Sequence, residues 1–115
     1  MTRPESGIGE ADWRLFTVVK DRALDRYCRG ALDEARALAD AAGDDAPERF
    51  AELVRLARER DREVRSVFDG HARSRAWLQL ARLASLGLLE DADIAGFSET
   101  VRADIERARA ANRGR

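Results

Sequence analysis

The sequence predicts an all-α protein: a small antiparallel bundle of three main helices plus a shorter C-terminal helix. Apolar residues recur every three or four positions along most of the chain, as in amphipathic helices. Only two prolines occur in 115 residues, and no alternating strand pattern persists. Short connections favour antiparallel neighbours. We expect one domain over residues 11–111, a flexible N-terminal arm at 1–10 and a frayed C-terminal tail at 112–115.

The first helix is predicted over residues 11–42, where apolar side chains form a single stripe. Lys20 is a polar break in that stripe, and Gly30 costs about 1 kcal/mol of helix propensity relative to alanine. We therefore expect either one long helix or a helix that kinks near Gly30. The stripe comprises Trp13, Phe16, Lys20, Ala23, Leu24, Tyr27, Ala31, Ala35 and Leu38.

The turn into the second helix carries clear local signals. Gly43 suits the left-handed position after a helix end, and Pro47 suits the first helical position. Asp45 or Ala46 then supplies the N-cap. The second helix is predicted to run to about residue 68, with an inner face of Phe50, Leu53, Val54, Ala57, Val64 and Phe68.

A third helix is predicted over residues 72–86, the most apolar segment of the chain. Gly87 fits the left-handed position after its end, so that Leu88 packs back on Leu83 in a Schellman motif. A short turn follows at 90–95, and Ser98 is expected to cap a last helix over 99–111. The predicted core includes Phe50, Phe68, Trp77, Leu80 and Leu83.

The N-terminal end of the first helix provides a candidate interface. The second helix is shorter, so the Trp13–Phe16 end projects beyond it. Either the C-terminal helix covers this end or a second chain does. Because large aromatic side chains are enriched in interfaces, Trp13 and Phe16 are the predicted interface residues.

A charged interruption in the second helix is the first candidate binding site. Arg60 and Asp61 fall where the apolar face should continue. One interpretation is a half-buried polar network facing Lys20 or Tyr27 that binds a small anion. The other is that Arg60 reaches water over its apolar stem.

The start of the third helix is the second candidate. Residues 70–89 contain no acid, and a helix start with Arg73 and Arg75 suits a phosphate or carboxylate. His71, the single histidine, titrates near neutral pH in an ordinary environment or pairs with Asp69. Alternatively, Asp69 or Ser74 caps the helix and the arginines pair with nearby acids.

The sequence shows no catalytic, metal-binding or cofactor-binding motif. One histidine with one nearby aspartate falls short of a usual metal ligand set. Cys28 has no general base placed beside it by the sequence, so we expect it to be structural. We therefore expect no cofactor, and an enzyme only if Tyr27, Asp61, His71 and an arginine converge in one cleft.

Composition also restricts the partners. The chain has 21 basic and 22 acidic side chains, which argues against a dedicated nucleic-acid binder. A helix-turn-helix is disfavoured because the third helix is apolar nearly all round. A single cysteine, no secretory signal and no membrane-spanning segment favour the cytoplasm. Charge is segregated, however: residues 31–52 carry seven acids and two arginines.

These observations predict a non-enzymatic helical protein that acts through protein–protein interaction. Homodimerisation is the most testable form of that function. The alternative is a regulatory domain that binds a small anion or another ligand through Arg60, Arg73 and Arg75. A DNA-binding regulator is the third and least favoured interpretation.

Overall fold

The computed structural model describes residues 8–43 and 45–113 as five α-helices joined by short connections. No strand occurs in these ranges, so the all-α prediction is confirmed. Residues 1–7 of the predicted N-terminal segment (1–10) and residues 114–115 of the predicted tail (112–115) lie outside the described residues. The helices are α1 (Glu10–Asp40), α2 (Ala46–Phe68), α3 (Ala76–Ser85), α4 (Asp91–Ile94) and α5 (Glu99–Arg113).

Asp45 and Ser98 cap helices as the sequence predicts, whereas Gly43 does not end the first helix: α1 ends at Asp40 with Ala41 as its C-cap, and Pro47 is the second residue of α2 rather than the first. Asp45 caps α2, since its Oδ1 accepts the backbone N–H of Glu48 at 3.2 Å, and Pro47 lies in the first turn. Ser98 precedes α5, and its Oγ accepts the N–H of Val101 at 3.5 Å. Two of the boundaries are therefore set by short polar side chains next to the helix start.

The end of α3 has the predicted Schellman geometry. Gly87 has a φ of +74°, a conformation that L side chains rarely adopt. The N–H of Leu88 donates to the carbonyl of Leu83, and that of Gly87 to the carbonyl of Ala84, both at 3.0 Å. These two bonds satisfy carbonyls at the end of α3 and reverse the chain toward α4.

The start of α3 differs from the prediction. The chain reverses at Gly70, whose φ is +78°, and Ala72 is extended, so an α-helix cannot begin at residue 72. A 3₁₀ turn over Arg73–Arg75 precedes α3 instead, and no side chain caps either element. As a result α3 has 10 residues and α5 has 15, the reverse of the predicted order of length.

The core lies where α3, α4 and α5 pack on the N-terminal half of α1 and the end of α2. Phe16 is 0% exposed, so the prediction that it forms an interface is wrong: it belongs to the core, and its ring stacks with those of Trp13 and His71. Ile8 is also buried, so the predicted flexible N-terminal segment does not extend to this residue. The core comprises Ile8, Phe16, Val19, Ala23, Val67, Phe68, Ala76, Leu80, Leu83, Ala84, Leu89, Ile94, Phe97, Val101 and Ile105.

The far ends of α1 and α2 leave this core as an antiparallel hairpin, which we call the arm: residues 31–40 of α1 and 46–60 of α2. α1 is one continuous helix through Gly30, so the helix does not break at this residue. From residue 24 to residue 66 no described residue is buried. The prediction of Phe50 as a core residue is therefore wrong: it is 67% exposed, because no third helix reaches the arm.

The arm makes the molecule long. Its principal extents are 56 × 27 × 21 Å, and its radius of gyration is 17.0 Å. A compact domain of 115 residues has a radius of gyration of about 13 Å. The difference reflects a two-helix hairpin that extends beyond the layer formed by α3 and α5.

Candidate functional site

The arm carries an exposed apolar face on the side away from the core. Leu32 is 62% exposed on α1, and Phe50 is 67% exposed on α2. Leu32 is nine residues after the fully buried Ala23, which is half a turn in helical phase, so it points away from the core. Val18, at 46% exposed, is fourteen residues before Leu32 and shares its side of α1.

Helical phase places Phe50 on the same side as Leu32. The seam between the two helices is formed by half-buried residues such as Leu38 and Leu53. Leu32 and Phe50 each lie about a quarter turn from that seam in the same rotational sense. In antiparallel helices this puts both side chains on one side of the hairpin, next to the half-buried Val54. We call this surface the arm face.

Two polar contacts join α1 to α2 where the hairpin leaves the core. The hydroxyl of Tyr27 donates to Oε1 of Glu63 at 2.5 Å. Arg60 binds Glu34 with two parallel bonds of 3.1 and 3.0 Å. Burial, together with the hydrogen bond to Glu63, raises the pKa of Tyr27 to about 12. The hydrogen bond from Arg60 lowers the pKa of Glu34 below its ordinary value.

The predicted anion site at Arg60 and Asp61 is not assembled. Arg60 is engaged by Glu34, and its side chain is one-third exposed, in line with the alternative that it reaches water over its stem. Asp61 is exposed and pairs with Arg65 at 3.0 Å, one turn along α2. Of the two residues considered as neighbours of this site, Tyr27 reaches the backbone carbonyl of Arg60 at 3.5 Å.

His71 lies in an aromatic cluster rather than in a pair with Asp69. Its ring centroid is 4.6 Å from that of Trp13 and 5.8 Å from that of Phe16. The ammonium of Lys20 donates to Nδ1 of His71 at 3.3 Å. Burial lowers the pKa of Lys20, although Asp21 and Asp69 oppose that shift. Trp13 is half-buried here, which limits its use as a free interface anchor.

The two arginines before α3 have different environments. Arg73 donates to the carbonyl of Ile8 at 2.7 Å and pairs with Glu10 at 3.0 Å, so it fastens the start of α1. Arg75 has no ion pair among the residues that the structure describes, and it borders a groove between α3 and α5. The structure therefore does not bring Arg60, Arg73 and Arg75 together.

A buried carboxylate between α4 and α1 is a structural site that the sequence did not predict. Asp93 is 3% exposed and accepts from Arg26 at 2.9 Å, from Arg22 at 3.3 Å and from the N–H of Glu90 at 2.9 Å. Burial alone would raise the pKa of Asp93, but these three donors outweigh it and hold the pKa below its ordinary value. In the sequence, Asp93 is one of three acids in the predicted short turn at 90–95, and nothing there marks it as buried.

A second buried carboxylate fixes α5. Asp12 accepts from the backbone N–H of Ser98 at 2.8 Å and from its Oγ at 2.6 Å. Nearby, Gly96 lies so close to α1 that a Cβ there would be 2.7 Å from Leu15. These contacts bring α4 and α5 onto the Phe16 end of α1. They explain why this end needs no second chain to cover it.

No chemical centre is assembled from the candidate residues. Tyr27, Asp61 and His71 lie in three separate contact groups, with Glu63, Arg65 and Lys20 respectively. Among residues 8–43 and 45–113, no three His, Cys, Asp or Glu side chains are grouped to hold a metal ion. No helix in the same ranges is long and apolar enough to cross a bilayer.

Comparisons with known proteins indicate no function for this chain. No protein-family model, curated protein sequence or solved structure matches the chain. The molecule presents two surfaces suited to a partner or ligand, the arm face and the groove beside Arg75.

Proposed function

We propose that this protein is a non-enzymatic interaction module that self-associates through the arm face. The observation that carries the proposal is a run of more than forty residues, from 24 to 66, in which no described side chain is buried. Two long helices with one shared seam leave apolar surface exposed that a second layer would cover. A single cysteine, which cannot form an internal disulfide, supports a reducing compartment such as the cytoplasm.

The distribution of charge along the hairpin supports a second copy as the partner. The tip, residues 31–52, carries seven acids and two arginines. The root, residues 21–30 and 53–65, carries eight arginines and five acids. Arg22 and Arg26 pair with Asp93, but the exposed Arg55, Arg58 and Arg62 have no ion pair within the described part of the chain. Two copies related by a two-fold axis, with their arms antiparallel, place each acidic tip beside the other copy's basic root. Opposite net charges at both ends favour this alignment over a parallel one.

Substitution on the arm face tests the proposal. Phe50→Asp puts a carboxylate on the arm face, and Ala51→Asp puts the same charge on the neighbouring exposed position of α2, off the face. Size-exclusion chromatography with light scattering should show association of the wild type and of Ala51→Asp but not of Phe50→Asp. Far-UV circular dichroism checks that both variants stay helical.

Each other outcome counts against the proposal. Equal association of both variants would show that the arm face is not the contact. Loss of association in both would show that total charge, rather than this face, controls it. Since the two ends attract by charge, raising the salt concentration should weaken the association of the wild type.

A further inference from the structure

The groove beside Arg75 lies between α3 and the end of α5, on the side of α3 that faces away from the core. Its volume is about 720 Å³, within the range of pockets that hold a ligand or part of a partner. Leu78 is two positions, or about 200° of helical phase, from the buried Leu80, so it points away from the core. Leu78 is 48% exposed, and Leu86, about two turns further along the same side, is 39% exposed. The wall on α5 presents the small side chains of Ala108 and Ala111, which leave the space open.

Two arginines give the groove a positive rim. Arg75 and Arg82 both line it, both are exposed, and neither has an ion pair within the described part of the chain. By contrast, the neighbouring Arg73 binds a carboxylate of the chain itself. Asp69 is the only acidic residue of the lining, and its charge interacts with the ammonium of Lys20. The two guanidinium groups of the rim therefore suit carboxylates that a partner supplies.

The exposed residues on this side of α3 follow one another at helical spacing. Arg75, Leu78, Arg82 and Leu86 are separated by three, four and four positions, so charged and apolar side chains alternate along one line. The two arginines are seven positions apart, which is about 10 Å along a helix axis. Their partners are consequently two separate carboxylates about two helical turns apart.

A helix is the occupant that fits this pattern. The backbone groups of α3 and α5 are bonded within each helix, so these walls offer no edge to which an extended segment could add as a strand. A helical occupant satisfies its own backbone groups and needs no such edge. It also presents side chains seven positions apart on one face, at the same spacing as Arg75 and Arg82.

We infer that the groove binds an acidic amphipathic helix of a partner protein. Two acidic side chains seven positions apart pair with Arg75 and Arg82, and a leucine-sized side chain between them packs on Leu78. The groove of a second copy does not suit this role, because both rims are positive and repel each other. No residue of the lining belongs to the arm face, so the site does not depend on self-association.

Fluorescence anisotropy with three peptides tests the inference. Each peptide is a fluorescein-labelled, alanine-rich helix of about five turns, held helical by the same hydrocarbon staple on its outer face. The first carries two glutamates seven positions apart, with a leucine between them on the same face. The second has glutamine in place of both glutamates, and the third has one glutamate moved to the opposite face. We expect the second and third peptides each to bind at least about tenfold more weakly than the first, a difference of about 1.4 kcal/mol.

A pair of double variants of the full chain locates the site. Arg75→Gln with Arg82→Gln should weaken binding of the first peptide at least about tenfold. Arg14→Gln with Arg102→Gln, the same charge change at exposed positions outside the groove, should leave its binding unchanged. Leu78→Ala, which removes apolar surface from the groove, should also weaken binding. Far-UV circular dichroism checks that every variant is folded.

The inference is overturned if the first peptide does not bind, if the glutamate and glutamine peptides bind equally, or if the two double variants have equal effects. Undiminished binding of the third peptide, or of the first peptide to Leu78→Ala, would equally contradict recognition of an amphipathic helix. The variant with Arg75→Gln and Arg82→Gln keeps its acidic arm. If an excess of this variant displaces the first peptide from the wild type, the arm of a second copy occupies the groove, and the inference of a separate partner is wrong.

Discussion

Replacing the buried Asp93 by alanine should strongly destabilise the protein. Its carboxylate joins α4 to α1 through Arg22 and Arg26 and accepts the N–H of Glu90. Removing one partner of a buried ion pair typically costs 3–5 kcal/mol. The side chains of Arg22 and Arg26 are 56% and 30% exposed, so water recovers part of that cost after the substitution. We therefore expect a loss of about 2–3 kcal/mol.

Denaturant unfolding followed by circular dichroism measures this loss directly. For 115 residues the unfolding entropy is about 0.24 kcal/mol per kelvin, so the same loss lowers Tm by about 8–12 °C. Asp91→Ala is the matched control, because the side chain of Asp91 is 92% exposed and pairs only with Arg109 among the described residues. We expect the control to stay within about 0.5 kcal/mol of wild type. Equal effects of the two substitutions would refute the role of Asp93.

The pH dependence of stability follows from the lowered pKa of Asp93. The unfolded chain binds a proton on this group at a higher pH than the folded protein does. Its stabilising contribution is therefore complete above the ordinary value of 3.8 and is lost as the pH falls below that value. The acid arm of the stability profile should accordingly be shallower in Asp93→Ala than in the wild type.

Three further predictions test the rest of the fold. Absorbance titration of Tyr27, the only tyrosine, should show a midpoint near pH 12. The stability that its hydrogen bond to Glu63 provides should be lost as the pH rises from 10 to 12. A midpoint near pH 10 would contradict that bond. Gly30→Ala should stabilise the protein by about 0.5–1 kcal/mol, because a Cβ at this mid-helix position meets no atom within 4 Å; a lower Tm would show hidden contact or strain. Leu80→Ala should lower the free energy of unfolding by about 2–5 kcal/mol, because Leu80 is buried, and Phe50→Ala should lower that of the monomer by less than about 1 kcal/mol, because Phe50 is exposed. Comparable losses for the two variants in denaturant unfolding would contradict the exposure of the arm.

Features encoded by neighbouring residues could be predicted from the sequence. The cap at Asp45, the cap at Ser98 and the Schellman turn at Gly87 each depend on a few adjacent residues and on backbone geometry. Helical periodicity likewise predicted the all-α class. The start of α3 was misplaced because the reversal at Gly70 and the extended Ala72 override the favourable helix composition that follows.

Features that depend on which helix covers which face could not be predicted. Phe16 and Phe50 both belong to helical stripes, yet the former is fully buried and the latter is largely exposed. The difference arises because α4 and α5 fold back on one end of α1, held by Asp12 and Asp93. In the sequence both acids resemble ordinary residues near helix ends. The groove beside Arg75 could not be predicted either, because it forms only where α3 and α5 meet.

Sedimentation equilibrium of the wild-type chain tests the central claim of self-association most directly. With increasing protein concentration, the mean molar mass should rise from the 12.9 kDa of one chain toward twice that value. Increasing salt should shift this rise to higher protein concentration. A mass that stays at 12.9 kDa up to about millimolar concentration, where even a weak interface of about −4 kcal/mol would be half occupied, would contradict the claim.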